Sequence, residues 1–297
     1  MVHRSHFLED TIDGNLLGDG SVFLDRGKYA RFKITAKDES YLYWIGDMLK
    51  SQGLNIYFSK DKRNKTFILY VSTGKFFTDL RKKWYRVDNG KTLKIVPNNL
   101  EINSTTLLFW YLGDGCLIRP KGNRVPWVVL ATNCFSKGDA DLLIEKLQEV
   151  KLNFYPVAYK SGFTKKSCGY AIYSNVQDGT VFRFFNLIGL SCPEEIKNCI
   201  TGNKGRGSKT HYFGDKWPTQ EDWFKIMSNQ PEIGRIVKER RIELGFTKRS
   251  CAARTGMSVR HLRHIEFQDR CPSVPMLRKI SKSLDLSTIY MLQKLVA

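Results

Sequence analysis

Apolar positions along the chain fall into two parallel series. One helical run ends at Leu16-Leu17-Gly18-Asp19-Gly20 and another at Tyr111-Leu112-Gly113-Asp114-Gly115, with the two aspartates 95 residues apart. The alternation that follows each predicts a hairpin. In Ser21 to Ala36, Phe32 and Ile34 alternate with Arg31, Lys33 and Thr35, and the turn falls near Arg26-Gly27; Cys116 to Thr132 reads the same way, turning at Lys121-Gly122-Asn123. Helical stretches follow over Asp38 to Ser51 and Lys137 to Val150. Leu54-Asn55-Ile56-Tyr57 and Leu152-Asn153-Phe154-Tyr155 open second hairpins that run through Tyr70 and Tyr173, and helices close the units at about 75–85 and 178–189. The prediction is an α+β protein built from two αββαββα repeats, over 1–100 and 101–200.

The texture then changes. Residues 201–232 open with Thr201-Gly202-Asn203-Lys204-Gly205-Arg206-Gly207-Ser208-Lys209 and read as a basic, Gly-rich linker and connector. The stretch does not make a phosphate loop, because Ser208 stands where that motif needs its lysine. Residues 233–297 read as a small all-α domain. Ile233 to Leu244 is a helix ended by Gly245, and Lys248 to Arg254 is a second, closed at Thr255-Gly256. Ser258 caps a third over Val259 to Glu266, and Pro272 and Pro275 start a fourth that reaches Leu284.

Charge adds a partner to this outline. The 297 residues carry 48 Lys and Arg against 29 Asp and Glu, a net of +19, which points to a polyanion. Nearly half of that surplus, +9, lies in 233–297. A hydrophobic content of 42% is enough for a real core, and no apolar window is long enough for a membrane span. The first ten residues lack the apolar core of a signal peptide. Seven cysteines without a CxxC pair read as reduced thiols, so a cytoplasmic or nucleoid location, or an organelle matrix, is expected.

A helix ending in Gly-Asp-Gly puts a carboxylate beside the negative end of the helix dipole, which is unfavourable by about 0.3–1 kcal/mol. Two such helices paired about a pseudo-twofold axis would bring two carboxylates together. Like charges that close repel unless a divalent cation sits between them, and Mg²⁺ takes carboxylate and carbonyl oxygens. Gly14 and Gly18, four apart, would let the helices approach.

These two runs, Ile12-Asp13-Gly14-Asn15-Leu16-Leu17-Gly18-Asp19-Gly20 and Leu107-Leu108-Phe109-Trp110-Tyr111-Leu112-Gly113-Asp114-Gly115, resemble the motifs of a single-chain LAGLIDADG homing endonuclease. The resemblance covers about 7–200. It implies that the motif helices pair centrally and that the two four-stranded sheets form a pseudo-twofold saddle over double-stranded DNA. It also implies that Asp19 with the Gly18 carbonyl, and Asp114 with the Gly113 carbonyl, share two or more Mg²⁺ ions. The implied activity is that of a metal-dependent phosphodiester hydrolase cutting each strand once, as a monomer. A catalytic lysine accompanies each half: Lys94 in Leu93-Lys94-Ile95-Val96-Pro97 matches the first, and Lys197 stands nearest the position of the second. Phe109 departs from the motif's small residue, which bears on how the helices pack.

The basic residues of the hairpins are the candidate DNA contacts. They are Arg26, Lys28, Arg31, Lys33, Thr35, Lys60, Lys62, Arg63 and Lys65 in the first repeat, and Arg119, Lys121, Arg124, Lys160, Lys165 and Lys166 in the second. The C-terminal segment, through Gly245-Phe246-Thr247, Ala252-Ala253, Thr255-Gly256-Met257-Ser258 and Ile265-Glu266, resembles a Cro/repressor-type helix-turn-helix. By that pattern Val259 to Glu266 is the recognition helix. Ser258, Val259, Arg260, Arg263 and His264 would then face DNA, with Lys248 and Arg249 near phosphate. Two rival functions share the resemblance: a non-cutting transcription regulator, and a maturase acting on intron RNA.

Overall fold

The computed structural model describes residues 6–25, 29–160, 167–203 and 210–296. The first repeat comprises α1 (His6–Leu17), β1 (Gly20–Asp25), β2 (Tyr29–Ala36), α2 (Glu39–Ser51), β3 (Ile56–Asp61), β4 (Thr66–Val71), α3 (Lys75–Trp84) and a short hairpin, β5 (Tyr85–Asp88) with β6 (Lys91–Lys94). The second follows the same order: α4 (Ser104–Asp114), β7 (Gly115–Ile118), β8 (Trp127–Thr132), α5 (Lys137–Glu149), β9 (Phe154–Lys160), β10 (Ser167–Ser174), α6 (Thr180–Ile188), then β11 (Ile200–Asn203) and β12 (Thr210–Tyr212). Beyond them lie α7 (Gln220–Met227), α8 (Ile233–Glu243), α9 (Lys248–Thr255), α10 (Val259–Glu266), α11 (Val274–Leu284) and α12 (Thr288–Val296). The architecture is α+β, with two αββαββα repeats followed by an all-helical region.

The chain divides into two compact units, the first of 1–117, 128–174 and 187–217, the second of 118–127, 175–186 and 218–297. In the first unit each repeat forms an antiparallel four-stranded sheet, in the orders β1-β2-β4-β3 and β7-β8-β10-β9. Strand parity sorts the side chains. Ala30, Phe32 and Ile34 of β2 and Leu69 and Val71 of β4 are buried under the helices, while Arg31, Lys33 and Thr35 take the opposite face.

Helices α1 and α4 are buried along most of their length, with Leu8, Ile12, Leu16, Leu17, Leu107, Phe109, Trp110 and Tyr111 in the core beside the buried polar side chains of Thr11, Asp13 and Asn15. They pack directly on each other. A Cβ built on Gly14 would lie 2.4 Å from the Thr106 carbonyl oxygen and 2.8 Å from the Phe109 Cβ. Gly14 is therefore the recess into which Phe109 fits, and the large residue in the second motif is matched by the small one in the first.

The helix caps tie the repeats to one another. Asp38 caps α2 by accepting from the Ser40 amide at 2.9 Å, and its other oxygen accepts from the Ile200 amide at 2.8 Å. Asp139 closes the capping box of α5 with Ser136 and also accepts from the Val96 amide at 2.9 Å. Each repeat's second helix thus clasps the tail of the other.

Two departures from the sequence expectation concern the ends of the repeats. Each closes with an extra hairpin, β5–β6 and β11–β12. Residues 200–203 and 210–212, expected largely as linker, are instead paired strands, with Ile200 opposite Tyr212 and Asn203 opposite Thr210. The remainder of that glycine-rich stretch, 204–209, lies outside the described residues.

The second unit is helical. Around α8–α11, Leu262, Ile265, Leu277, Ile280 and Leu284 form a core, and Arg241 is buried against Glu266, donating Nη2 to Oε2 at 3.1 Å. Gly256 ends α9 in the left-handed conformation (φ +66°), and the Ser258 hydroxyl caps α10 by accepting from the His261 amide at 3.1 Å. Among the described residues no helix is long and apolar enough to cross a membrane.

Candidate active site and nucleic-acid interface

The C-terminal ends of α1 and α4 meet backbone to backbone. A Cβ on Gly18 would lie 3.1 Å from the Gly113 Cα, and one on Gly113 would lie 3.0 Å from the Asp19 nitrogen. No larger pair of residues would let two helix ends come so close. The next residue in each chain segment is the aspartate, so Asp19 and Asp114 stand side by side where the sheets' first strands begin.

Both carboxylates resist ionisation. Asp19 reaches solvent at its surface, yet protein crowds it on its other sides, and burial raises its pKa against the opposing pull of Lys216 and Lys94. Asp114 is raised further, to about 6, by burial and then by the negative charge of Asp19. One lysine serves each side. Lys94, at the end of β6, donates to the Gly20 carbonyl at 2.9 Å and approaches that of Gly18 at 3.5 Å. Lys216 donates to the carbonyls of Leu112 at 2.6 Å and Tyr111 at 3.1 Å, and approaches that of Gly113 at 3.4 Å. Burial lowers both ammonium groups, Lys216 to about 8, although the two aspartates pull the other way.

Lys197 does not occupy that position. Its ammonium is half exposed and pairs with Glu194 at 2.9 Å. Only its backbone serves the site, its carbonyl accepting from the Gly214 amide at 2.9 Å and so holding the turn Phe213–Lys216 that presents Lys216. The repeat boundary expected at 200 falls before the hairpin that delivers this lysine; the signal in the sequence is the duplication, since Lys94 also ends a closing hairpin.

Asp13, within the first motif, has a part that the motif pattern does not show. It is buried, accepts from Trp84 Nε1 at 2.8 Å and from Lys83 Nζ at 3.2 Å, and fastens α1 to α3. Its role is structural, since all its partners belong to that packing.

The LAGLIDADG DNA endonuclease family model matches residues 10–182. The chain belongs to the LAGLIDADG DNA endonuclease family. A helix-turn-helix family model matches residues 237–291. A curated relative, an uncharacterized protein of Methanocaldococcus jannaschii, is 33% identical over 153 residues, 48% of this chain. The match spans 56% of that relative's own length. Among solved structures, the homing endonuclease I-WcaI bound to its DNA recognition sequence is 23% identical, with 63% of this chain and 83% of that one covered and a TM-score of 0.49. I-DmoI in complex with DNA and Mn is 12% identical, with 61% and 96% covered and a TM-score of 0.36.

In this LAGLIDADG chain the donor set suits a hard divalent cation. Among the described residues no group of three or more His, Cys, Asp or Glu gathers, so the oxygens on offer at the helix ends are two carboxylates and backbone carbonyls. Burial first, and then the negative charge of Asp19, raise Asp114, and a shared cation would offset both.

The basic candidates separate by position. Arg31, Lys33 and Thr35 share the outer face of the first sheet. Arg31 is 2.7 Å from Asp25, and the Lys33 ammonium lies 5.4 Å from the centre of the Phe23 ring. Lys60 is on the other face, because its partner across the strands is Phe67, whose ring centre it approaches to 4.9 Å. Lys62, Arg63 and Lys65 are exposed on the β3–β4 turn, which Asp61 shapes by accepting from the amides of Arg63 and Asn64. Arg119 is engaged by the buried Asp222 at 2.7 Å, a structural pair the sequence did not reveal. Lys121 and Arg124 are exposed. Arg26, Lys28, Lys165 and Lys166 lie outside the described residues, as does the side chain of Lys160.

On α10, Val259, Arg260 and Arg263 are exposed with Ser258, while Leu262 and Ile265 point inward. His264 Nδ1 lies 3.2 Å from Asp269. Lys248 and Arg249 open α9; Lys248, Lys238 and Arg263 surround the exposed ring of Phe267 at 5.3, 5.8 and 5.6 Å. The result is a cationic face around the exposed side of α10.

Proposed function

We propose that the chain is a site-specific homing endonuclease that uses Mg²⁺ to hydrolyse one phosphodiester in each strand of a long DNA duplex. The observation that carries this reading is the meeting of Asp19 and Asp114 at a glycine–glycine contact with Lys94 and Lys216 on either side. Asp19, Asp114 and the carbonyl oxygens of Gly18 and Gly113 would hold the cation. When bound, a divalent cation polarises the phosphodiester and stabilises negative charge on the entering and leaving oxygens. Lys94 and Lys216, fixed by backbone carbonyls, hold positive charge beside the phosphates without needing to reorganise. One chain supplies both carboxylates, so the proposed active species is the monomer.

Arg31, Lys33 and Thr35 are assigned to base edges in the major groove, and the exposed residues of the turns to phosphates. The helix-turn-helix adds duplex contacts through Ser258, Val259, Arg260, Arg263 and His264, with Lys248 and Arg249 on phosphate. Binding by such a surface weakens steeply as salt rises, since each neutralised phosphate releases counterions.

The test is cleavage of a DNA library that contains the uninterrupted insertion junction of the host gene, with Mg²⁺, with EDTA, and with Asp19→Asn. Double-strand cuts at one sequence, lost in the last two arms, are expected. Tight specific binding without cutting in any arm would overturn the nuclease reading in favour of a regulator. Binding of intron RNA in place of DNA would favour the maturase.

A further inference from the structure

The two sheets are topological copies, and each begins directly at one of the paired aspartates, yet their outer faces differ in chemistry. Register matches them position by position. Lys33 of β2 sits opposite Tyr70 of β4, and Val129 of β8 sits opposite Tyr173 of β10. Lys33 therefore corresponds to Val129, and two residues on, Thr35 corresponds to Ala131. Tyr57 pairs with Tyr70 as Tyr155 pairs with Tyr173, so the tyrosines are common to both faces. Ser21 and Phe23 of β1 correspond to Cys116 and Ile118 of β7.

The first face thus carries Arg31, Lys33, Thr35, Ser21 and Ser59 around its aromatic rings, with Asp25 holding Arg31. The corresponding strand positions of the second, with Trp127 standing where Arg31 does, are Cys116, Ile118, Trp127, Val129, Ala131, Tyr155, Val157, Ala171 and Tyr173, none of them charged. Cys116 and Tyr155 are exposed, Ala131, Val157 and Tyr173 are half-buried, and Val129 and Ala171 are buried. Inward positions of the same strands, Leu130 and Ile172, are fully buried, so the apolar character of the outer face is not a consequence of lying under the helices.

Base edges answer to these two chemistries differently. A guanine edge offers two acceptors and is read by Arg or Lys, whereas thymine offers a C5 methyl group that is read by apolar contact. An unmatched guanine edge against Ala131 and Val157 would lose hydrogen bonds it makes to water.

We propose that this chain takes a chemically lopsided DNA target: the half facing β1–β4 is specified through guanine edges by Arg31 and Lys33, and the half facing β7–β10 is thymine-rich and is read through its methyl groups by Ala131, Val157 and their neighbours. The inference rests on the proposed DNA cleavage, and it concerns which sequence is cut.

The experiment recovers DNA from a random library with the full chain carrying Asp114→Asn, and locates the centre of the recovered site by cutting it with the unaltered chain and Mg²⁺. The half whose base preference changes with Lys33→Ala is assigned to the first sheet. Uracil then replaces thymine in each half separately. Each methyl lost from the second sheet's half is expected to weaken binding about fourfold, the value of one buried methylene-sized group. The same replacement in the other half is expected to have little effect. A G·C-rich second half, or uracil that is silent there, overturns the proposal while leaving the nuclease reading intact. Failure to recover or cut any preferred sequence overturns that reading first.

Discussion

Gly14 lies inside α1, where replacement by alanine would ordinarily stabilise a helix by about 1 kcal/mol. The structure reverses the sign. The new Cβ would meet the Thr106 carbonyl oxygen at 2.4 Å and the Phe109 Cβ at 2.8 Å. Neither is the free end of a flexible side chain, so relief requires moving α1 away from α4 by about 1 Å, as ordinary carbon contacts need about 3.5 Å or more. Overpacking of this kind costs about 1–3 kcal/mol, and contact with rigid backbone places it at the upper end. Subtracting the helical gain leaves a net loss of about 2 kcal/mol. For a unit of this size that lowers Tm by about 4–8 °C. Gly18→Ala is the control, since its nearest neighbour would be the Gly113 Cα at 3.1 Å and its cost smaller. Scanning calorimetry of the full chain should rank the unaltered protein above Gly18→Ala, and Gly18→Ala above Gly14→Ala. A Gly14→Ala protein as stable as the original would refute the close helix seam on which the site depends.

Three further outcomes follow from the geometry. Lys216→Met should slow cleavage about 10²-fold with DNA affinity largely kept, while Lys197→Ala should cleave normally, as single-turnover rates would show; equal loss in both would undo the assignment of Lys216. Asp114 binds its proton more tightly in the fold, with a pKa of about 6 against 3.8, so the metal-free protein should lose stability as pH rises from about 4 through 6. Because a cation needs the ionised form, its apparent affinity by titration calorimetry should fall about tenfold from pH 7 to pH 5. Arg241→Met would strand the buried Glu266 carboxylate and should cost about 3–5 kcal/mol, seen as a lowered Tm and weakened DNA binding by the helix-turn-helix; an unchanged Tm would show that the pair is not buried.

Much of this was legible from residue pattern because the repeat states each element twice. The paired Gly-Asp-Gly ends, the alternation around Phe32 and Ile34, and the Ser258 cap each rest on local chemistry that no tertiary context altered. What was not legible depends on contacts distant in sequence. Lys216 reaches Gly113 across about a hundred residues, Arg119 finds Asp222 across a similar span, and Asp38 accepts from Ile200. The side of the strand that Lys60 takes was not legible for a simpler reason: it is decided by parity, and a lysine with a long apolar stem can lie on the helix side against Phe67. The β11–β12 hairpin hid behind a glycine-rich composition that normally signals linker.

Gly14 and Phe109 also bear on where such a chain can go in evolution. The seam is a socket on one helix and a plug on the other, with Phe109 further held against the Trp44 ring at 5.9 Å. Two copies of α4 would set plug against plug, and two copies of α1 would leave the socket empty. The halves have become complements. Severed and expressed together they should find one another in preference to themselves, and neither should form a symmetric pair of its own without a change at Gly14 or Phe109.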